Sequence, residues 1–238
     1  MHMSRYMLLL TGGVLLLFFG NIHAEERPGK ISAMILQFSE NEPGVGRYPV
    51  TMSITPEYLR IDDTKARKDF ILFSRKAKVI YSISSDYQQI IAIPHSPVDR
   101  KSPVPLTVNV KQLPPDRQAP VIAGKNTRHL QLIVNNTLCM DVISVPGLLP
   151  DAVEALKTFK LVLAGQQAQT LQYIPADMHE VCDLSSNTFH PTLSLDNGFP
   201  VLQRSSDGYS RELINYYRQD IDSSLFELPE TYTTLNLD

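Results

Sequence analysis

Cys139 and Cys182 are the only cysteines of the chain, and the second lies in His179-x-x-Cys182 with Glu180, Asp183 and His190 close by. Two chemistries suit such residues. Thiolate and imidazole at this spacing are zinc-type ligands, although a structural zinc site needs four donors. Alternatively the two sulfurs pair across 43 residues, which an oxidising compartment favours. A loop of that size contributes about 4 kcal/mol in the chain-entropy model. Free thiols are the third state open to them. The expectation carried forward is a Cys139–Cys182 disulfide, with no metal and no cofactor.

Other reactive patterns are sparse. The chain has no Gly-x-Ser-x-Gly elbow, phosphate-binding loop, dinucleotide glycine pattern or His-Glu-x-x-His, so no catalytic residue is assigned. His95, His129, His179 and His190 are scattered. Asp62, Asp63 and Asp69 have Lys65, Arg67 and Lys68 among them, which reads as a solvated hairpin turn. Arg60, Lys65, Arg67, Lys68, Arg75, Lys76 and Lys78 fall within 19 residues. Adjacent hairpins would present them as a basic edge, suited to transient contact with a membrane surface or an acidic partner. The net charge of −3 excludes generic nucleic-acid binding, which needs a basic surface.

The elements that must position these residues are mostly strands. Short runs rich in Ile, Val, Tyr and Phe predict strands at 31–38, 50–55, 58–61, 70–73, 79–83 and 89–93, separated by turn residues, as in an antiparallel meander. In Phe70-Ile71-Leu72-Phe73 and Val79-Ile80-Tyr81 both faces are apolar, so both are expected to be covered. Residues 94–120 hold seven of the 17 prolines and read as a domain linker or, preferred because the strands after it look like more of the same sheet, as a long irregular loop with one strand at 106–110. Strands follow at 129–134 and 138–145, with a turn at Asn135-Asn136-Thr137 between them. The spacing of Val153, Leu156, Phe159 or Lys160, and Leu163 predicts a helix over 151–167, with Asp151 at its N-cap and Glu154 completing a capping box. Residues 199–204 read as a strand; 210–221 fit a helix through Ile214, Tyr217 and Ile221 or a bulged strand through Leu213, Tyr217 and Ile221, of which the strand is preferred; 225–229 read as a short apolar tail.

The first 24 residues have a different character. Arg5 precedes an apolar run from Met7 to Phe19, then Asn21-Ile22-His23-Ala24 and two glutamates. This is the layout of a secretory signal peptide cleaved after Ala24. An uncleaved anchor is the other reading, but a spanning helix needs about 20 apolar residues. The expected organisation is a signal peptide at 1–24, then one domain over 25–238, in the bacterial periplasm.

The order of pieces resembles the LolA-like superfamily of outer-membrane lipoprotein carriers. The residues that carry the likeness are Ile54-Thr55-Pro56-Glu57-Tyr58-Leu59-Arg60-Ile61-Asp62, then 70–74, 78–83 and 88–93, and the terminal Leu225-Phe226-Glu227-Leu228-Pro229-Glu230-Thr231-Tyr232. The resemblance implies a mainly β fold with α, an antiparallel half-barrel wrapping around one or two helices and a hydrophobic cavity. It also implies that the carriers have an arginine just before the strand-start proline, where this chain has Thr55. That departure points to a periplasmic branch that keeps the fold.

The function expected on this basis is non-enzymatic binding of a lipid, acyl chain or other hydrophobic ligand, with a lipoprotein as a candidate cargo and the chain a monomer. The expected lining is Ile54, Leu59, Ile61, Phe70, Leu72, Val79, Tyr81, Ile91 and Ile93. The alternative is a protein-interaction or envelope-stress sensor module on the same fold, without bound lipid.

Overall fold

The computed structural model describes residues 29–63, 69–114, 121–175 and 178–237. The expected signal peptide and the turn cations Lys65, Arg67 and Lys68 lie outside the described residues. Six strands form first: β1 (Lys30–Glu42), β2 (Gly46–Ile54), β3 (Tyr58–Asp63), β4 (Phe70–Ser74), β5 (Val79–Ser84) and β6 (Gln89–Pro94). The proline-rich stretch carries β7 (Val108–Gln112) and leads to a small pair, β8 (Val121–Ile122) and β9 (Lys125–Asn126). Then come β10 (Arg128–Val134), β11 (Thr137–Val145) and the helix α1 (Pro150–Thr170). A short turn of helix α2 (Val181–Asp183) widens into a π-helix over Leu184–Phe189. The chain ends with β12 (Phe199–Ser205), β13 (Ser210–Asp222) and β14 (Thr233–Asn236).

Twelve of these strands make one open sheet, in the order β14-β6-β5-β4-β3-β2-β1-β13-β12-β11-β10-β7. Every pairing is antiparallel except β14 with β6. Turn chemistry explains the hairpins. Asn135 and Asn136 both hold positive φ, 49° and 66°, in the two-residue loop that joins Val134 to Thr137. Asparagine tolerates that conformation better than other side-chain-bearing residues. Gly44, at φ 81°, lets β1 run to Glu42 before the chain reverses into β2 at Gly46.

The pairing fixes which residues share a face. Ile54 opposes Leu59, Leu59 opposes Phe73, Phe73 opposes Ile80, and Ile80 opposes Ile93. This face meets α1, and its core includes Leu36, Met52, Ile54, Leu59, Phe73 and Ile80 from the sheet, with Ala155, Phe159 and Val162 from the helix. Phe159 meets Phe73 edge-on, with ring centroids 5.7 Å apart. Leu156 borders Phe38 and Phe199. One helical turn therefore reaches from β4 to β12, five strand positions apart. In a flat sheet that is roughly 24 Å, against a helix about 10 Å wide. The sheet is bent around the helix.

The other face of β3–β6 is covered too, by the C-terminal segment. Phe226 stacks on Tyr58 at 5.6 Å and packs with Leu72, Ile83 and Ile90. The expected tail at 225–229 is thus a lid on the outer face, and the chain continues into β14, a strand that the apolar pattern of the sequence does not announce.

Two contacts set the position of α1. Arg75, in the β4–β5 turn, donates to both Asp151 carboxylate oxygens, at 2.7 and 3.2 Å, and to the Thr55 carbonyl at 2.7 Å. Gly165 lies so close to the loop after β6 that a Cβ there would sit 2.1 Å from the Ser96 carbonyl oxygen. The expected capping box does not form: Leu149 is the N-cap, without a side-chain bond, and Pro150 opens the helix. Proline suits the first helical position because its missing N–H has no intrahelical partner there. Asp151 is displaced into the first turn, where Arg75 engages it. Among the described residues no helix is long and apolar enough to cross a membrane.

Candidate functional site

Past β1 the helix-facing side of the sheet changes character. Pairing aligns Tyr48, Glu40, Arg211, Gln203, Val142 and Leu130 in one row across β2, β1, β13, β12, β11 and β10. The next row brings Ser205, Met140 and Leu132 together. Over these rows lies the segment from α2 to Ser194, tied to β11 by the Cys139–Cys182 disulfide, whose Cα atoms are 5.2 Å apart. The two layers leave a cleft of about 260 Å³.

The cleft has an apolar wall within a lining that is otherwise largely polar, with five serines, Asn187, His190 and Gln203 among its residues. Leu132, Val134, Met140 and Leu193 form the wall together with the disulfide. Lys160 of α1 and Arg211 and Tyr209 from β13 and its approach form the polar end. Arg211 donates to Glu40 Oε1 through Nε at 2.7 Å and comes within 2.6 Å through Nη2, and its guanidinium lies over the Phe38 ring at 5.3 Å. Glu40 is buried, and the Tyr48 hydroxyl donates to its Oε2 at 3.5 Å. Burial pushes the Tyr209 phenol well above its ordinary pKa, so it stays protonated. Burial, with the Arg211 charge second, pulls the Lys160 ammonium down to about 8. Asp183 sits at an acidic rim, its pKa raised first by burial and then by Asp207 and Glu180.

No family model matches the chain, and no curated protein matches it. Solved structures are similar only loosely. An uncharacterized conserved protein from Thermus thermophilus aligns at a TM-score of 0.44 and 8% identity, over 87% of this chain and 90% of its own. PNGF-II, in its C2 and P21 crystal forms, aligns at 0.40 with 11% and 9% identity. The chain spans about a third of PNGF-II, 31% and 32% in the two forms. None of these scores carries an argument about function.

The nine residues expected to line a cavity divide between the two faces. Ile54, Leu59, Ile61 and Ile93 pack against the α1 core, and Ile91 shares their face through its register with Ser82 and Ile71. Phe70, Leu72 and Tyr81 lie on the opposite face beneath the C-terminal segment, and Val79 shares that face with Ser74 and Tyr58. None of the nine borders the cleft. The physical reason is parity. Strand alternation sorts residues within a strand, but pairing Leu59 with Phe73 rather than Leu72 sends Phe70 and Leu72 outward.

The basic edge is also divided. Arg60 donates to Asp62 and to the Leu225 carbonyl, and lies 3.7 Å over the Phe70 ring. Arg75 is held by α1, while Lys76 and Lys78 are exposed. Thr55, which stands where the carriers have arginine, caps its own turn by accepting from the Tyr58 and Glu57 amides. His129 pairs with Asp141 at 2.7 Å, remote from His179 beside Ile174 and Met178. Among the described residues no group of His, Cys, Asp and Glu is arranged to hold a metal.

Lys160 is legible in the sequence only as an ambiguity. It shares the helical spacing with Phe159, one position out of phase with the apolar stripe. α1 also packs on the Leu184–Phe189 segment, a contact that its apolar spacing in the sequence does not announce.

Proposed function

We propose that this chain is a periplasmic, non-enzymatic binding protein of LolA-like architecture, and that a lipid, acyl chain or other hydrophobic ligand enters the cleft between β10–β13 and the disulfide-tied segment. The open antiparallel sheet bent around a helix supports the family reading. The observation that carries the function is the cleft itself: about 260 Å³ beside an apolar wall, at a place where α1 does not fill the concavity. Each methylene buried there contributes about 0.8 kcal/mol, which is sufficient to draw a short acyl chain from water. The interior beneath α1 is taken up by its own side chains, so the ligand site is displaced to the sheet's other half.

The test is organic extraction of protein purified from a bacterial periplasm, followed by mass spectrometry. The wild type is expected to carry an acyl species that Met140→Trp, which fills the cleft, reduces about tenfold, the loss of ~1.4 kcal/mol of binding. An identical profile in both proteins removes the cleft from the account.

A protein-interaction or envelope-stress sensor role is favoured by one observation. Ile214 is 61% exposed and Tyr217 38% exposed on β13. Copurification of a stoichiometric protein partner, lost on changing these two residues to Ser, is the result that role requires.

A further inference from the structure

We propose that the deep end of the cleft is an anion site, in which Lys160 binds the carboxylate or phosphate head of an amphiphile whose chain lies over Met140 and Leu132. This rests on the cleft being the ligand site and adds the chemical class of the ligand.

The argument begins with charge balance. Two cations face the deep end, Lys160 and Arg211. Arg211 is neutralised by the buried Glu40, which takes its Nε and Nη2 and also accepts from Tyr48. Lys160 has no hydrogen bond or ion pair among the described residues, and its strongest charged neighbour is another cation. Buried charges in native proteins are paired or hydrogen-bonded. Lys160 is half-buried and lines the cleft, so its ammonium faces that space without a protein counter-charge, and the cleft is where such a partner fits.

The acids do not supply it. Asp183 on α2 and Asp207 in the β12–β13 turn also line the cleft, but among the described residues neither forms an ion pair with Lys160. The cleft is thus polarised, with its positive end under α1 and its negative rim at α2 and the β12–β13 turn. An anionic head is favoured at the first and repelled at the second, which sets the direction in which an amphiphile lies. From Arg211 on β13 to Leu132 on β10 is three strand positions, roughly 14 Å, a length that a ten-carbon chain covers.

The experiment is calorimetric titration of delipidated protein, wild type and Lys160→Met, with decanoate, decyl phosphate, 1-decanol and inorganic phosphate. The wild type is expected to bind decanoate and decyl phosphate about tenfold more tightly than 1-decanol, as a charge-assisted contact adds to the same chain burial. Lys160→Met is expected to erase that preference, leave 1-decanol within about twofold, and melt no lower than the wild type, because a half-buried charge without a protein partner has been removed. Equal binding of 1-decanol and decanoate by the wild type overturns the anion site and leaves the cleft standing. Failure of all three ten-carbon probes to bind overturns the cleft itself. Inorganic phosphate binding as tightly as decyl phosphate replaces the amphiphile with a free anion, and a loss in Lys160→Met that is equal for every probe reduces Lys160 to a structural role.

Discussion

Cys139→Ser is expected to lower the stability of the oxidised protein by about 4 kcal/mol, roughly 8–16 °C in melting temperature for a chain of this size. The bridge joins β11 to α2 across 43 residues, and that loop contains all of α1. Without it the unfolded chain regains the freedom the loop had lost. The folded state also loses a tie where little else holds α2 to the sheet: one contact there is Ser206 Oγ, 3.9 Å from the Cys182 sulfur. Cys182→Ser is expected to match it, and the double variant to cost no more than either single one, since all three delete one bond. The same variants are expected to weaken acyl binding, because Cys139 and Cys182 form part of the cleft wall. Thermal scans with and without reductant check this. Twofold larger loss in the double variant would show that the sulfurs act separately.

Phe159→Ala is expected to cost about 3–5 kcal/mol. Phe159 is buried between the sheet and the helix and meets Phe73, which is wholly buried, edge-on. Truncation opens a cavity under the middle of α1 that Gly165, wedged against Ser96, prevents the helix from closing. A double-variant cycle with Phe73→Ala is expected to return a coupling of about 0.5–1.5 kcal/mol, the aromatic pair's share beyond simple burial. Leu161→Ala, at a site 45% exposed on the same helix, is expected to change stability by less than ~0.5 kcal/mol. Urea midpoints at constant slope decide the matter. A cost for Phe159→Ala below ~1 kcal/mol would mean that the space beneath the helix is loosely filled, and would return the ligand to it.

How far the sequence reveals this molecule follows from where each signal is local. Strand after strand can be read between Ile31 and Ile93 because β-branched and aromatic runs alternate with turn residues, and the Asn135-Asn136 turn announces its hairpin. Two-sided apolar strands indicate two covered faces, and both are covered, one by α1 and the other by Phe226 and its neighbours. What is not local is lost. The parity between β3 and β4 depends on register across a turn, so Phe70, Leu72, Val79 and Tyr81 are grouped by sequence with residues of the opposite face. Asp151 carries the chemistry of a cap, yet Pro150 and Arg75 decide where it sits. Cys139, Cys182, Asp183 and His190, which stand out in the sequence, do line the cleft, but the rest of its wall and floor comes from β10, β12, β13, α1 and the π-helix, which no local signal joins to them. Lys160 is visible as a site only once Glu40 is seen to neutralise Arg211 from a strand 171 residues away in sequence.

The location of the bound chain tests the account most directly. Methyl-labelled protein saturated with decanoate is expected to show nuclear Overhauser contacts from the ligand chain to Leu132, Met140 and Leu193, with Ile54, Leu59 and Ile93 silent. Contacts to Ile54, Leu59 and Ile93 instead would place the ligand under α1 and contradict the cleft.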